Sequence, residues 1–167
     1  MFHGARGKVD LKGVKELKCP EEGGTKQLYD DFLRSVKSQI GVGWSDGYLI
    51  GRLIEEREDG GVQLPADVKV EASEAEKVIW LEQVKLSVGS IKNYKDKKQA
   101  FYSLLHSHLS KATRTKVEGS DGFDAADEEK DPVWLLITLD DIMLGYEKIT
   151  PTILSMDDQL CRIANLR

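Results

Sequence analysis

The pattern closest to a catalytic motif is Gly43-Trp44-Ser45-Asp46-Gly47, which fits the G-x-S-x-G nucleophile elbow of hydrolases. In that motif a strand leads into a strained turn that exposes the serine. Here the preceding residues, 28–40, have helical spacing instead. The triad also needs an acid and then a histidine, and with Asp96 as the acid both later histidines fall on the same predicted helix, about three turns away. We therefore predict that Ser45 is a helix N-cap and that the chain is not an enzyme.

Metal and cofactor sites are not predicted either. His106 and His108 are two residues apart on a predicted helix, so they point to opposite sides and cannot bind one ion. We expect His108 to be half-buried in the core and His106 to lie on the surface. The acidic residues 121–128 lack the ligand spacing of a calcium loop, and no glycine-rich phosphate loop is present. The sequence thus predicts no metal, no cofactor and no small-molecule substrate.

A cluster of lysines near two tyrosines is the best candidate for contact with phosphate or RNA. The pI of about 5.3 and the lack of a nucleic-acid-binding motif predict that any attraction to RNA is weak. The candidate residues are Lys92, Lys95, Lys97 and Lys98.

The charge is divided into two adjacent blocks. Residues 77–117, the basic block, contain nine basic and two acidic residues, a net charge of +7. Residues 118–147, the acidic block, contain ten acidic residues and one lysine, a net charge of −9. Such blocks either neutralise each other within one molecule or meet between molecules in head-to-tail association.

The composition is that of one helical domain. The chain has 167 residues, of which 32% are charged, above the value of about 25% that is usual in globular proteins. No apolar run approaches the length of a membrane span, and the N-terminus lacks the apolar stretch of a signal peptide. We expect a cytoplasmic protein with no membrane partner and, with only two cysteines, no disulfide scaffold.

Hydrophobic periodicity predicts an all-α fold, a bundle of about six helices. Residues 1–24 give no clear prediction and are taken as an irregular N-terminal segment. Residues 25–58 are predicted to form a helical pair, 59–72 a linker, and 73–167 the main bundle, with an acidic surface loop at 118–131.

Capping signals mark the expected helix starts. Ser73 with Glu76 and Asp96 with Gln99 have the spacing of capping boxes, and a restart is expected at Ser110. The pairs Asp131-Pro132 and Thr150-Pro151 predict two further starts, because proline at the first helical position loses no hydrogen bond.

The apolar stripes of these helices give the predicted core. Its members are Leu28, Phe32, Val36, Trp80, Val84, Phe101, Leu104, Leu105, Leu136, Leu139, Ile142 and Leu160.

Several segments resemble the Gag-like region of copia-type LTR retrotransposon polyproteins. They are the runs IWLEQVK at 79–85, AFYSLL at 100–105, SKA at 110–112 and KVE at 116–118, with the leucine pair at 135–136. Between them, residues 106–109 lack the tryptophan, glycine, glutamine and cysteine of the family pattern, and the sequence contains no zinc knuckle.

The resemblance implies a capsid-like helical module that self-associates into a shell around element RNA. RNA capture by a zinc knuckle is not implied, because the knuckle is absent. The alternative is a helical adaptor that holds another protein in a groove between its helices.

Overall fold

A computed structural model describes residue 11 and residues 13–67 and 71–145 of the chain. This part is helical and contains no strand, which confirms the all-α prediction; Leu17 and Leu109 form an isolated bridge. A short 3-10 helix, Pro20–Glu22, comes before the α-helices. These are α1 (Lys26–Gly43), α2 (Gly47–Glu56), α3 (Glu74–Ser107), α4 (Lys111–Glu118), α5 (Phe123–Glu129) and α6, which includes residues 132–145.

The turn between α1 and α2 depends on a glycine. A Cβ atom at Gly47 would lie 2.4 Å from the carbonyl oxygen of Ile40, so only glycine lets the two helices approach this closely. Asp46 before it has a φ of 58°, and its side chain accepts no capping hydrogen bond. The prediction that Ser45 is an N-cap is therefore wrong, because α2 begins two residues later, after this left-handed residue.

The long helix α3 begins where the sequence predicts and continues further. Ser73 and Glu76 form the expected capping box, with the Ser73 side chain accepting from the Glu76 N–H and the Glu76 carboxylate accepting from the Ser73 N–H. The second predicted box is wrong, because Asp96 lies inside an uninterrupted helix of 34 residues. No proline or glycine lies between Ser90 and Ser107, so adding residues to the existing helix is favoured over forming a new helix start.

One hydrophobic core joins α1, α2, the second half of α3, α4 and α6. It includes Leu11 and Leu17 from the N-terminal segment as well as side chains of both predicted segments, 25–58 and 73–167. Its largest fully buried members are Tyr29, Phe101, Tyr102, Ile40, Ile50, Leu53, Leu105, Leu109, Leu135, Leu136, Leu139 and Met143.

Burial differs from the prediction at several apolar positions. Leu28 is 51% exposed, because the core side of α1 is centred on Tyr29, Phe32 and Val36. Leu104 and Ile142 are half-buried against the edge of the core.

Two predicted core residues lie on the first half of α3, and another lies outside the described part of the chain. Trp80 and Val84 are only half-buried and do not belong to the core cluster, because the first half of α3 extends beyond it. Leu160 falls outside the described residues.

The N-terminal segment is fixed to the junction between α3 and α4. The Leu17 N–H donates to the carbonyl oxygen of His108 at 2.9 Å, and the Ser110 N–H donates to the carbonyl oxygen of Leu17 at 2.9 Å. Cys19, two residues later, is completely buried. The segment therefore contributes to the core even though its sequence has no helical or strand periodicity.

The acidic segment 118–131 was expected to be a surface loop. This prediction is wrong, because the helix α5 forms within the segment. Phe123 and Ala126 lie on its inner side, and Ala126 is buried. The predicted start at Asp131-Pro132 is present, with the Asp131 carboxylate accepting from the Val133 N–H at 2.9 Å.

A partly buried ion pair ties α1, α2 and α6 together. Asp140 on α6 accepts from the Tyr29 hydroxyl at 2.6 Å and from Arg57 Nε at 2.7 Å. Burial, together with the hydrogen bond to the Asp140 carboxylate, raises the pKa of Tyr29. Three distant parts of the chain therefore share one carboxylate.

We predict that Asp140→Asn lowers the free energy of unfolding by about 2 kcal/mol, because charge-assisted hydrogen bonds from Arg57 lose their anionic acceptor. Asp30→Asn is the matched control, since Asp30 on α1 pairs with Lys26 at 3.6 Å on the surface. Its expected effect is below about 0.5 kcal/mol. Chemical denaturation of the two variants measures both values, and equal effects would contradict the assignment.

Candidate interaction surface

The first half of α3 exposes a concentration of apolar side chains. The buried residues of α3 begin only at Tyr94, whereas Leu86 is 72% exposed and Val78 59% exposed. The exposed apolar residues of residues 74–93, a segment that we call the free half of α3, are Val78, Ile79, Leu81, Leu86 and Val88. They make up half of the large apolar side chains that are exposed in the described part of the chain. Clusters of this kind mark binding surfaces in soluble proteins.

One side of the free half is occupied by residues 59–67, the part of the predicted linker 59–72 that the structure describes up to its gap at 68–70. The Trp80 Nε1–H donates to the carbonyl oxygen of Ala66 at 2.8 Å. At the other end, the Asp59 carboxylate accepts from the Tyr94 hydroxyl at 2.8 Å and from Lys98 Nζ at 2.6 Å. The distance along the helix from Trp80 to Tyr94 is about 21 Å. The seven steps from Asp59 to Ala66 span about 23 Å when extended, so the linker lies antiparallel along this side of the helix.

Asp59 is the residue that fixes the linker to α3. Burial acts to raise its pKa, but the hydrogen bonds from Lys98 and Tyr94 outweigh burial, so the pKa of Asp59 is lowered. Burial and the hydrogen bond to the Asp59 carboxylate raise the pKa of Tyr94. No periodicity in the sequence identifies Asp59, because its partners lie 35 and 39 residues further along the chain.

The four candidate lysines do not form one patch. Lys97 donates to the Ser45 hydroxyl at 3.0 Å and lies 3.6 Å from Asp46, and Lys98 pairs with Asp59. Lys92 and Lys95 are exposed and form no ion pair with another described residue. Lys97 and Lys98 are thus held by acidic or polar groups of the same molecule. Lys97 points towards the turn between α1 and α2, whereas Lys98 points towards the linker.

The contacts of Lys97 also define the environment of Ser45. The serine lies in a turn between two helices, so the strand that a nucleophile elbow requires is not formed there. Its neighbour Lys97 also donates to the Ser45 carbonyl oxygen and lies close to the Asp46 carboxylate.

The two charge blocks do not neutralise each other through ion pairs among the described residues. Lys97, Lys98 and Lys116 of the basic block pair with Asp46, Asp59 and Glu21, which precede both blocks. In the described ranges, one contact between ionisable side chains joins the blocks: His106 Nε2 lies 3.8 Å from a Glu118 carboxylate oxygen, and this contact is an ion pair only when His106 is protonated.

His106 is packed in a row of aromatic rings, which differs from the predicted surface position. Its ring centroid lies 6.0 Å from that of Tyr102 and 6.3 Å from that of Phe123, and Trp134 follows at 6.2 Å from Phe123. His106 Nε2 and Arg114 Nε are both buried and have no hydrogen-bond partner. Burial and the nearby charge of Arg114 lower the pKa of His106, against an opposing effect of Glu118.

An open groove lies beside the aromatic row. Its volume is about 450 Å³, and its walls combine apolar and acidic side chains. They are Ser120, Asp121, Trp134, Ile137, Thr138, Asp141 and Ile142.

No three His, Cys, Asp or Glu side chains in the described ranges converge as metal ligands would. Within the same ranges, no helix combines the length and the apolar character that crossing a bilayer requires.

Comparison with protein-family models, with curated proteins and with solved structures finds no match to this chain.

We predict that His106 makes the fold less stable in mild acid. Its pKa is lower in the folded than in the unfolded chain, so its contribution is complete above the unfolded value of about 6.5 and is lost as the pH falls towards the folded value. His106→Phe keeps the ring stacking and should reduce the fall in stability between about pH 7 and about pH 5. Urea denaturation across this range, with His108→Gln as control, measures the change. A wild-type pH dependence in the His106 variant would contradict the prediction.

Proposed function

We propose that this chain is a non-enzymatic structural protein that associates with copies of itself through the free half of α3. The observation that supports this is the exposure of five large apolar side chains on one projecting helical segment. The linker covers only the side that includes Trp80, so the remaining sides stay in contact with water. A helix that is apolar on most sides is usually buried, and an assembly supplies the partner that a single molecule lacks.

In its specific form, the proposal is a Gag-like capsid subunit of a copia-type retrotransposon. Its support is the sequence resemblance, together with a helical fold of the kind that the resemblance implies. The resembling run 79–85 lies in the free half of α3, and the run 100–105 lies where the same helix enters the core. The family pattern therefore covers both the packed and the exposed part of this helix.

A broad contact between the lysine cluster and RNA receives less support. Lys97 and Lys98 are held by groups of the same molecule, which leaves Lys92 and Lys95 as the free cations of the four. Two exposed lysines give weak, salt-sensitive attraction to phosphates. We therefore place self-association before RNA binding in the proposed function.

The second candidate function is an adaptor, and the groove beside Trp134 favours it. Ile137 is 46% exposed at this groove, next to Asp121 and Asp141. An adaptor of this kind would remain monomeric and bind a basic, apolar segment of another protein.

Replacing Ile79, Leu81, Leu86 and Val88 together by glutamine tests the proposal. Glutamine is a good helix former, so α3 should remain helical while its apolar contacts are lost. We expect wild-type protein to form higher-order species at a protein concentration of about 100 μM. At this concentration, a contact with a binding free energy of about −5.5 kcal/mol is half occupied. The variant should be monomeric in sedimentation velocity and light scattering.

The double variant Leu28→Gln and Val42→Gln is the control, because it removes two exposed apolar side chains from α1 instead of α3. It should associate as the wild type does. Salt separates apolar contacts from contacts between the charge blocks, because the Debye length falls to about 3 Å at 1 M. Association that persists at 1 M salt supports an apolar contact through α3, whereas association that disappears at 1 M salt supports a contact between the charge blocks. A wild-type protein that is monomeric at low salt favours the adaptor.

A further inference from the structure

The exposed residues of the free half of α3 lie in two separate rows. Successive residues of a helix are rotated by about 100°, so Val78, Leu81 and Val88 share one side. Ile79 and Leu86 lie on another side, rotated by about 130° from the first. We call these the 78–88 row and the 79–86 row.

The 78–88 row has the spacing of a coiled-coil contact and an uneven charge distribution. Positions 74, 78, 81, 85, 88 and 92 alternate in steps of four and three residues, as the a and d positions of heptads do. Glu74 lies at the start of the row, whereas Lys85 and Lys92 lie in its second half. The row is therefore acidic at its first position, basic at its last position, and apolar between them except at Lys85.

We propose that the 78–88 row binds the same row of a second copy, with the two α3 helices antiparallel. This inference rests on the proposed self-association and specifies its geometry. A two-fold axis beside residue 83 places Val78 opposite Val88, Leu81 opposite Lys85, and Glu74 opposite Lys92. Each pairing occurs twice in the dimer. Lys85 packs its aliphatic stem on Leu81 and keeps its ammonium group in water.

Charge complementarity selects this arrangement over the parallel one. In a parallel pair, Glu74 would face Glu74 and Lys92 would face Lys92, which is repulsive at both positions. Lys92 has no ion-pair partner among the described residues, and Glu74 is 89% exposed in its contact with Lys77. Lys92 is thus free to form the contact between two molecules, and Glu74 can reach it by exchanging or sharing its exposed contact with Lys77.

The 79–86 row is a poorer site for the same contact. Its own heptad positions are 75, 79, 82, 86, 89 and 93, so its antiparallel register places Leu86 opposite Glu82 and Ile79 opposite Gly89. An apolar side chain opposite a carboxylate, and another opposite a residue without a side chain, bury little apolar surface.

Site-directed cross-linking tests the register. In the proposed dimer residue 78 lies beside residue 88 of the other copy, and the two copies of residue 78 are about 15 Å apart. A mixture of Val78→Cys and Val88→Cys chains should form a disulfide under mild oxidation, whereas Val78→Cys alone should not. Cys161 is replaced by serine in all chains, and Cys19 is buried. A mixture of Glu82→Cys and Leu86→Cys chains is the matched control, because the register of the 79–86 row would place these two residues opposite each other, and it should not cross-link.

A charge exchange tests the same register without cysteine. Glu74→Lys and Lys92→Glu should each weaken association about tenfold, because two ion pairs per dimer become repulsive. The double exchange should restore affinity to within about threefold of the wild type, and circular dichroism checks that each variant remains helical.

The pairing is overturned if Val78→Cys cross-links alone, or if the protein associates without cross-linking in the Val78 and Val88 mixture. Complete absence of association in wild-type protein would instead overturn the proposed function itself.

Discussion

The length of α3 relative to the core is the constraint on which the other features depend. A helix of 34 residues is about 51 Å long, whereas a compact chain of 167 residues has a radius of gyration of about 15 Å. The core packs on Phe101, Tyr102 and Leu105, and it covers the helix only as far back as Tyr94. The linker, held at Asp59, protects one side of what remains. The other sides are exposed because the chain has no further helix in the described ranges to place against them.

Local signals predicted some of the helix starts, whereas contacts between distant residues were not predictable. The capping box at Ser73 is readable because its two residues are three positions apart and cap the same turn. The same spacing at Asp96 was misleading, because a capping pattern cannot show that the preceding residues are already helical. Leu17 and Asp59 find their partners 92 and 35 residues along the chain, at Leu109 and Tyr94, so neither contact leaves a periodic trace in the sequence.

The proposed interaction surface could be identified only in part from the sequence. The spacing of Trp80 and Val84 gives a stripe like that of a core helix, and the same heptad pattern continues to Phe101 and Leu105. Periodicity predicts which side of a helix is apolar, but it does not predict whether another element of the fold packs on that side. In this protein one continuous pattern is buried at its second half and half-buried at its first. The exposed apolar surface of the free half of α3 is therefore the feature on which the proposed function rests.

Hydrogen–deuterium exchange measured at increasing protein concentration tests that account most directly. Association through α3 would protect the backbone amides of residues 75–92 more strongly as concentration rises, because opening of the helix would then require separation of the two copies. The amides of residues 29–40 in α1, which lie in the core of each molecule, should exchange at the same rate throughout. Concentration-dependent protection confined to the free half of α3 is the predicted result. Exchange in residues 75–92 that does not change with concentration would contradict the account.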